Sequence, residues 1–486
     1  MARKIIGRIQ EKQILDKIIA SPRAEFVVVM GRRRVGKTFM IYEYLKEQLI
    51  FSFSGTYGVT AKQQLTNFFT EYLRYTKGSK ATVQPGDWPT AFTYLTDYLK
   101  TIQPEPGKKA VVFIDELPWL DTPKSGFIAA LEYFWNQHGS KMDHIVLITC
   151  GSVASWMDKK LLQSKGGLYN RVTATLQLQP FSLAETAEYC QHLKLKLSPY
   201  QITQLYMVMG GIPFYLNGLT AGKSVAQLID ELCFSANGLL ASEYQNLYPS
   251  LFTNAQNHIT LVEALAKHPY GMTRSKLLQQ SKLPTGTFAR SLDDLVNSGF
   301  VKKFAPFQKK EKDSIYRLMD MYTLFYHKFI QGNNSGNGNS WQFMATSAAY
   351  TSWCGYAFEN ICLLHIAQIL KKLGISGMYT QTSSWYFKGN ETLDGAQIDL
   401  LIDRNDGMIN LCEVKFSNKE FIMTKDHAQD LRRKIAVFEA ATKTRKTILP
   451  TLISTYTPMP TLHYQELITA TITLDDLFAE TTGQRR

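Results

Sequence analysis

The chain has 486 residues, enough for about three domains at roughly 150 residues each, and its 45% hydrophobic content lets each build a core. No apolar run approaches the roughly 20 residues of a membrane-spanning helix, and the start, MARKIIGRIQEKQ, lacks a signal-peptide hydrophobic stretch. Six scattered cysteines without a C-x-x-C pair argue against zinc and a disulfide framework and fit a reducing cytoplasm, while the net charge of +13 favours a polyanionic partner, although charge alone would serve a membrane surface or solubility equally well.

Glu25 to Met30, EFVVVM, is a continuously apolar run of the kind that forms a buried parallel strand. GRRRVGKT follows, Gly31 to Thr38, and matches G-x-x-x-x-G-K-[ST] at every fixed position. Thr38 to Lys46 then reads as a helix. A strand, a glycine loop and a helix N-terminus in that order form an anion site, because backbone N–H groups converge and the helix dipole favours negative charge. Lys37 is expected to reach the β- and γ-phosphates of ATP and Thr38 to ligate Mg²⁺. Gly31, Arg34 and Gly36 are assigned to the same nucleotide site. Side chains in the variable part of such a loop, Arg32 to Arg34 here, often point into solvent.

Lys109 to Glu116 is a second apolar strand ending in two acids. Asp115 is expected to hold Mg²⁺ through water, and Glu116 to orient and polarise the attacking water as general base. A third strand, His144 to Cys150, leads into Ser152, the candidate sensor of the γ-phosphate. Arg171, in GLYNR, either stabilises transition-state charge or forms a structural ion pair.

IIGRIQEKQIL, the glycine loop, FIDELPWL, LITCGS, LYNR, LQPFSLAE and GGIPFYL occur in this order. Over about residues 1–330 the chain resembles the P-loop ATPase family abundant in archaea and also found in bacteria, within the AAA+/STAND group. In that group the GGIPFYL stretch lies in a helical lid beside the nucleotide, which implies that Gly211 and Pro213 approach the base or phosphates. Gly7 and Arg8 match a segment that often lies against the adenine. The second half of LITCGS is looser than usual.

Residues 180–250 read as helices. From 257 the pattern changes to three amphipathic helices, Ile259 to Lys267, Thr273 to Leu278 with Thr273 as N-cap, and Thr285 to Ser298 with Leu292, Leu295 and Val296 on its apolar face. Two short strands follow, Gly299 to Phe304 and Ser314 to Leu318. Three helices plus a hairpin predict a winged helix-turn-helix whose third helix presents Thr285, Thr287 and Arg290 to a groove. Such modules also serve as protein-contact or packing elements. GNNSGNGNS, 332–340, reads as a linker.

QIDLLIDRNDGMINLCEVKFS, 397–417, reads as two strands around a turn. Asn405-Asp406-Gly407 suits a three-residue hairpin loop. Paired residues then have numbers that sum to 812, which sets Asp399 opposite Glu413 with Lys415 on the same face. A two-residue loop at Asp406-Gly407 shifts the register by one and separates the two acids. Two carboxylates roughly 5 Å apart repel, and either share a proton or take a cation such as Mg²⁺ or Mn²⁺. The D…E-x-K pattern resembles the PD-(D/E)xK nuclease superfamily. That resemblance implies metal ligation by Glu359, Asp399 and Glu413, with Glu413 and Lys415 catalytic. Ile398 stands where the superfamily's proline often precedes the first aspartate. The basic helix around Gln429 to Lys434 follows the third strand, and places Gln429 near the site.

The reading is an α/β protein with an ATPase core at 1–180 built on a parallel sheet, a helical lid at 181–255, a winged helix-turn-helix at 256–331 and an α/β restriction-endonuclease-like domain at 341–486. It is expected to bind and hydrolyse ATP in the cytoplasm and to couple nucleotide state to nucleic-acid binding or metal-dependent cleavage, with ATP and DNA or RNA as partners, a homo-oligomer or protein partner left open, and no membrane. The alternative is an ATP-dependent switch that binds nucleic acid or a partner without cutting.

Overall fold

A computed structural model describes residues 4–78, 83–105, 107–163, 166–309, 311–332 and 341–480. The expected linker lies, from 333 onward, outside the described residues. The chain divides into two compact units, Met1–Pro180 and Phe181–Arg486.

The first unit holds a five-stranded sheet made of β1 (Glu25–Gly31), β2 (Leu49–Ser54), β3 (Ala110–Asp115), β4 (Ile145–Gly151) and β5 (Ala174–Leu178), in the order β2-β3-β4-β1-β5. Every pairing is parallel. β1, β3 and β4 are buried along their whole length, as unbroken apolar runs demand when both faces of a sheet are covered. Helices Ala61–Thr76, Trp88–Leu99 and Phe127–Gln137 contribute Phe68, Trp88, Phe92 and Phe134 to a core shared with Phe26 and Phe51 of the sheet. β2 and β5 were not foreseen. They are the edge strands, only partly buried, and their weaker apolar patterns carry less signal. The sheet order makes β4 the neighbour of both β1 and β3, so the segments carrying Gly31, Asp115 and Gly151 end side by side. In an open parallel sheet that carboxyl edge is where ligands bind.

The second unit opens with helices whose starts are written in the sequence. Ser182, Ser198 and Ser224 each form a capping box at the head of Leu183–His192, Pro199–Met209 and Val225–Cys233. Helices Ala255–Ala266, Arg274–Ser281 and Thr285–Asn297 follow. β6 (Met272–Thr273), β7 (Val301–Phe304) and β8 (Ile315–Leu318) then form a small antiparallel sheet in the order β6-β8-β7. The third helix buries Phe288, Ser291, Leu292 and Leu295, with Val296 half-buried, and leaves Thr285 and Arg290 exposed and Thr287 half-buried. Thr273 holds the N-cap position but makes no capping hydrogen bond; its hydroxyl meets Ser275 Oγ at 3.3 Å instead.

The last sheet has the order β13-β12-β11-β10-β9, from β9 (Thr380–Phe387), β10 (Ala396–Arg404), β11 (Met408–Lys415), β12 (Thr447–Ser454) and β13 (Ala470–Thr473). The first three strands form an antiparallel meander, and β12 and β13 continue it in parallel. The Lys425–Thr442 helix packs Ala428, Leu431, Val437 and Phe438 against Ile398, Leu401, Ile409 and Leu411. The Ala348–Leu364 helix also packs on β10 and β11. Leu400, Ile402 and Cys412, at intervening positions, are fully buried as well, so both faces of these strands are covered.

Candidate functional site

In the first unit, Gly31 ends β1 with φ +151°, and a Cβ there would stand 2.4 Å from the Leu178 carbonyl oxygen of β5. The neighbouring strand therefore leaves room for glycine alone. Arg34 (φ 71°) and Gly36 (φ 89°) take left-handed backbone, which curls the loop back to the head of the Lys37–Tyr44 helix. The Lys37 ammonium, buried, donates to the carbonyls of Gly31 (2.9 Å) and Arg32 (3.0 Å) and to Ser152 Oγ (3.0 Å). Thr38 Oγ1 donates to Asp115 Oδ2 at 2.7 Å, and the other Asp115 oxygen accepts from the Glu116 amide at 2.9 Å. Ser152 Oγ donates to Glu116 Oε1 at 2.9 Å, so one hydroxyl bridges the lysine and the glutamate.

Glu116 has left-handed backbone (φ 45°), a strained conformation for a side chain of its size, and its Oε2 has no hydrogen-bond partner among the described residues. Burial raises its carboxyl above the ordinary value and the Asp115 charge adds to that, while Lys37 pulls it down. Six residues predicted from sequence thus meet in one network: Gly31, Lys37, Thr38, Asp115, Glu116 and Ser152.

Residues 6–219 match the family described as the ATPase domain predominantly from Archaea. That stretch is an archaeal-type ATPase domain. The chain is 23% identical over 438 residues to an uncharacterised Methanocaldococcus jannaschii protein, MJECL04, covering 88% of this chain and 91% of that one. The Walker-type ATPase PABY2304 of Pyrococcus abyssi shares its fold with a TM-score of 0.50 at 16% identity, over 67% of this chain and 97% of that one. An ORC2 protein of Aeropyrum pernix, solved as ADPNP and ADP complexes, aligns at 14% identity over 68% of this chain and 96% of that one, with a TM-score of 0.41.

Two further sequence candidates are Arg171 in the first unit and Pro213 in the second. Arg171 is exposed on the turn that closes with its amide donating to the Leu168 carbonyl, and it forms no ion pair among the described residues. The ion-pair reading of Arg171 therefore has no partner there. Pro213 opens the short Pro213–Leu216 helix of the second unit. Gly211, just before it, has φ +66°, and a Cβ would lie 2.2 Å from the Phe181 carbonyl oxygen.

The second unit carries a carboxylate and lysine site. Leu400 pairs with Cys412 and Leu401 with Leu411, so paired numbers sum to 812 as the three-residue loop predicts, and Gly407 closes the turn at φ 84°. The Asp399 carboxylate accepts from the Val414 amide at 3.2 Å. A register shift between Ile398 and Leu401 in the β9 pairing places a bulge at Asp399, a device that re-aims a side chain. Asp399, Glu413, Lys415 and, from the Ala348–Leu364 helix, Glu359 line one cavity of ≈ 830 Å³.

Two cations that the sequence reading did not assign complete the group. Lys434 Nζ donates to both Glu413 oxygens, at 3.1 and 2.9 Å, while Lys415 Nζ lies 2.8 Å from Oε1. Arg317 of β8, 1% exposed, donates from Nη2 to Glu359 Oε2 at 3.3 Å. Gln429 is exposed and does not line the cavity; the helix turns Lys434 inward instead. Lys434 interrupts the apolar stripe Ala428, Leu431, Phe438, and a lone cation on a buried stripe was the available signal. Burial, together with the Asp399 charge, pushes the Glu359 carboxyl up to about 7. Burial and then Glu413 raise that of Asp399.

Among the described residues, no helix is long and apolar enough to cross a membrane.

Proposed function

We propose that this protein is an ATPase whose nucleotide cycle governs metal-dependent cleavage of nucleic acid at the Glu359, Asp399, Glu413 and Lys415 site. The carrying observation is the β10–β11 register, which brings Asp399 and Glu413 into one cavity with Glu359 and two lysines. In the ATPase domain Lys37 binds the β- and γ-phosphates, Thr38 and Asp115 would hold Mg²⁺, Glu116 accepts a proton from the attacking water and Ser152 senses the γ-phosphate. Mg²⁺ there would neutralise phosphate charge. The raised affinity of Glu116 for a proton suits a base. Arg171 and Pro213 belong to this reading as charge stabiliser and lid contact.

At the second site the donors are carboxylate oxygens, which suit a hard cation such as Mg²⁺ or Mn²⁺. Glu359, Asp399 and Glu413 would hold it, and it would supply Lewis acidity toward a phosphodiester. Lys415 orients the attacking water and offsets charge on the phosphate, and Lys434 holds Glu413 in place. The three helices and hairpin at 255–318 act as a winged helix-turn-helix, with Thr285 and Arg290 exposed for nucleic acid. Lys and Arg outnumber Asp and Glu in that stretch, which suits a polyanion.

A second reading has its own support. Three carboxylates meet three cations here (Arg317, Lys415, Lys434), and among the described residues no three His, Cys, Asp or Glu side chains cluster closely enough to hold a metal ion. A balanced group of this kind fits a switch that grips nucleic acid or a protein without cutting. A gel assay of full-length protein with labelled single-stranded and duplex DNA and RNA, with Mg²⁺ or Mn²⁺ and with or without ATP, decides between them. Cleavage supports the first reading, and binding without cleavage under either metal supports the second.

A further inference from the structure

The cavity above the carboxylates has a second wall. Lys267 caps the Ala255–Ala266 helix, Tyr270 follows in the turn before β6, and Lys328 lies in the Tyr326–Ile330 turn; all three line the same ≈ 830 Å³ space as Asp399 and Glu413. Both lysines are exposed, and neither forms an ion pair among the described residues. Glu263 is an acid on that wall, so the two lysines leave it net positive. His327, between them, is committed elsewhere: its ring nitrogens meet Gln331 Oε1 at 2.7 Å and Tyr244 OH at 2.9 Å.

Tyr270 is 44% exposed yet fixed. Its ring stands edge-on to Tyr356 at 6.3 Å, and the buried Arg317 guanidinium lies 5.9 Å from the Tyr270 centroid and 5.1 Å from that of Tyr356. A cation against both rings holds them where a flat group can stack. Exposed cations beside a held aromatic surface are the two parts of a single-strand binding groove, one for phosphates and one for bases. The space is half open, and at ≈ 830 Å³ it falls within the roughly 300–1,000 Å³ span of small-molecule sites, room for a nucleotide or two.

We infer that the Lys267, Tyr270 and Lys328 wall is a binding site for single-stranded polynucleotide, with Lys267 and Lys328 on phosphates and Tyr270 under a base, which delivers the strand to the carboxylates. This rests on the reading of those carboxylates as a cleavage site, and it narrows the substrate from nucleic acid in general to a single strand or a frayed end.

The test is fluorescence anisotropy of full-length protein in EDTA, where no cleavage occurs, with a labelled 20-nucleotide single-stranded DNA, the same sequence in RNA, and the DNA duplex. The inference requires single strands to bind at least 10-fold more tightly than the duplex. Lys267→Ala/Lys328→Ala should weaken them 10-fold or more and lower the salt slope by about 1.4, at about 0.7 per phosphate contact. Tyr270→Ala should weaken them by about 5- to 150-fold, the span of roughly 1–3 kcal/mol per stacked base. A thermal scan and the circular dichroism spectrum of each variant serve as the folding control and should match the wild type. Equal duplex affinity, unchanged binding by the double variant, or equal competition by a free mononucleotide overturns the inference. Parallel digestion with Mn²⁺ separates the two claims. Strand binding that depends on the wall without cleavage removes only the nuclease reading, and cleavage with binding indifferent to the wall removes only the groove.

Discussion

Leu400 lies directly opposite Cys412 across the β10–β11 hairpin, and that one pairing decides the chemistry of the second unit. A one-residue slip would carry Asp399 away from Glu413 and leave each acid with different neighbours. The Asn405-Asp406-Gly407 loop sets the slip to zero through Gly407, whose φ of 84° costs a non-glycine residue about 1 kcal/mol or more. Gly407→Val should therefore cost stability and also reduce any cleavage, with ATP turnover intact, since the hairpin lies outside the ATPase core. Cleavage and ATP turnover measured on one preparation check this.

Lys37→Ala should abolish ATP binding. The ammonium makes three hydrogen bonds that pin the loop to Ser152, and its charge lowers the proton affinity of Glu116. Isothermal titration with ATP and Mg²⁺ should show no binding, whereas retained affinity would count against the loop assignment.

Glu116→Gln should keep ATP affinity within a few fold and slow turnover by 10²- to 10⁴-fold, the usual contribution of a positioned base. Gln can still accept from Ser152, so the network survives while the base is lost. Unchanged turnover would mean that a different group accepts the proton.

Gly31→Ala should be severe, because the new methyl meets the Leu178 carbonyl at 2.4 Å and neither backbone can yield without breaking the β1–β5 pairing. A loss of several degrees in Tm together with loss of ATP binding is the expected result from a thermal scan and a binding titration.

The Glu359 carboxyl makes a pH prediction. Its affinity for protons is raised in the folded protein from 4.5 to about 7. Between those values the folded state binds more protons than the unfolded one, so the stability due to this group is present below pH 4.5 and is lost as pH rises through about 7. Glu359→Gln removes the proton exchange. Denaturation of both proteins at pH 5 and pH 8 should show the wild type losing more stability than the variant as pH rises.

Much of the ATPase domain was legible because its chemistry sits at strand ends and glycine turns, which leave local patterns: EFVVVM before Gly31, FIDE at Asp115, LITCGS at Ser152. The edge strands β2 and β5 were not legible, since an edge strand needs only one buried face and Ala174–Leu178, although it alternates, is only five residues long. In the second unit the turn gave the register, so Asp399, Glu413 and Lys415 could be placed in advance. Arg317 could not, because it reaches Glu359 from 42 residues away in sequence, and Lys434, 21 residues from Glu413, left only its place on the buried stripe as a signal. Gln429 was expected near the site on helix position alone, but the helix face that packs on the sheet is fixed by Ala428, Leu431 and Phe438, which turns Gln429 outward.

The proposed function depends most on Asp399 belonging to a cutting centre. Wild type and Asp399→Ala, purified side by side, should be given labelled single-stranded DNA and RNA with Mn²⁺ and ATP, and their ATP turnover measured in the same tubes. The expected result is cleavage by the wild type, none by the variant, and equal ATP turnover. An uncut substrate with the wild type, or equal cutting by both proteins, would contradict it.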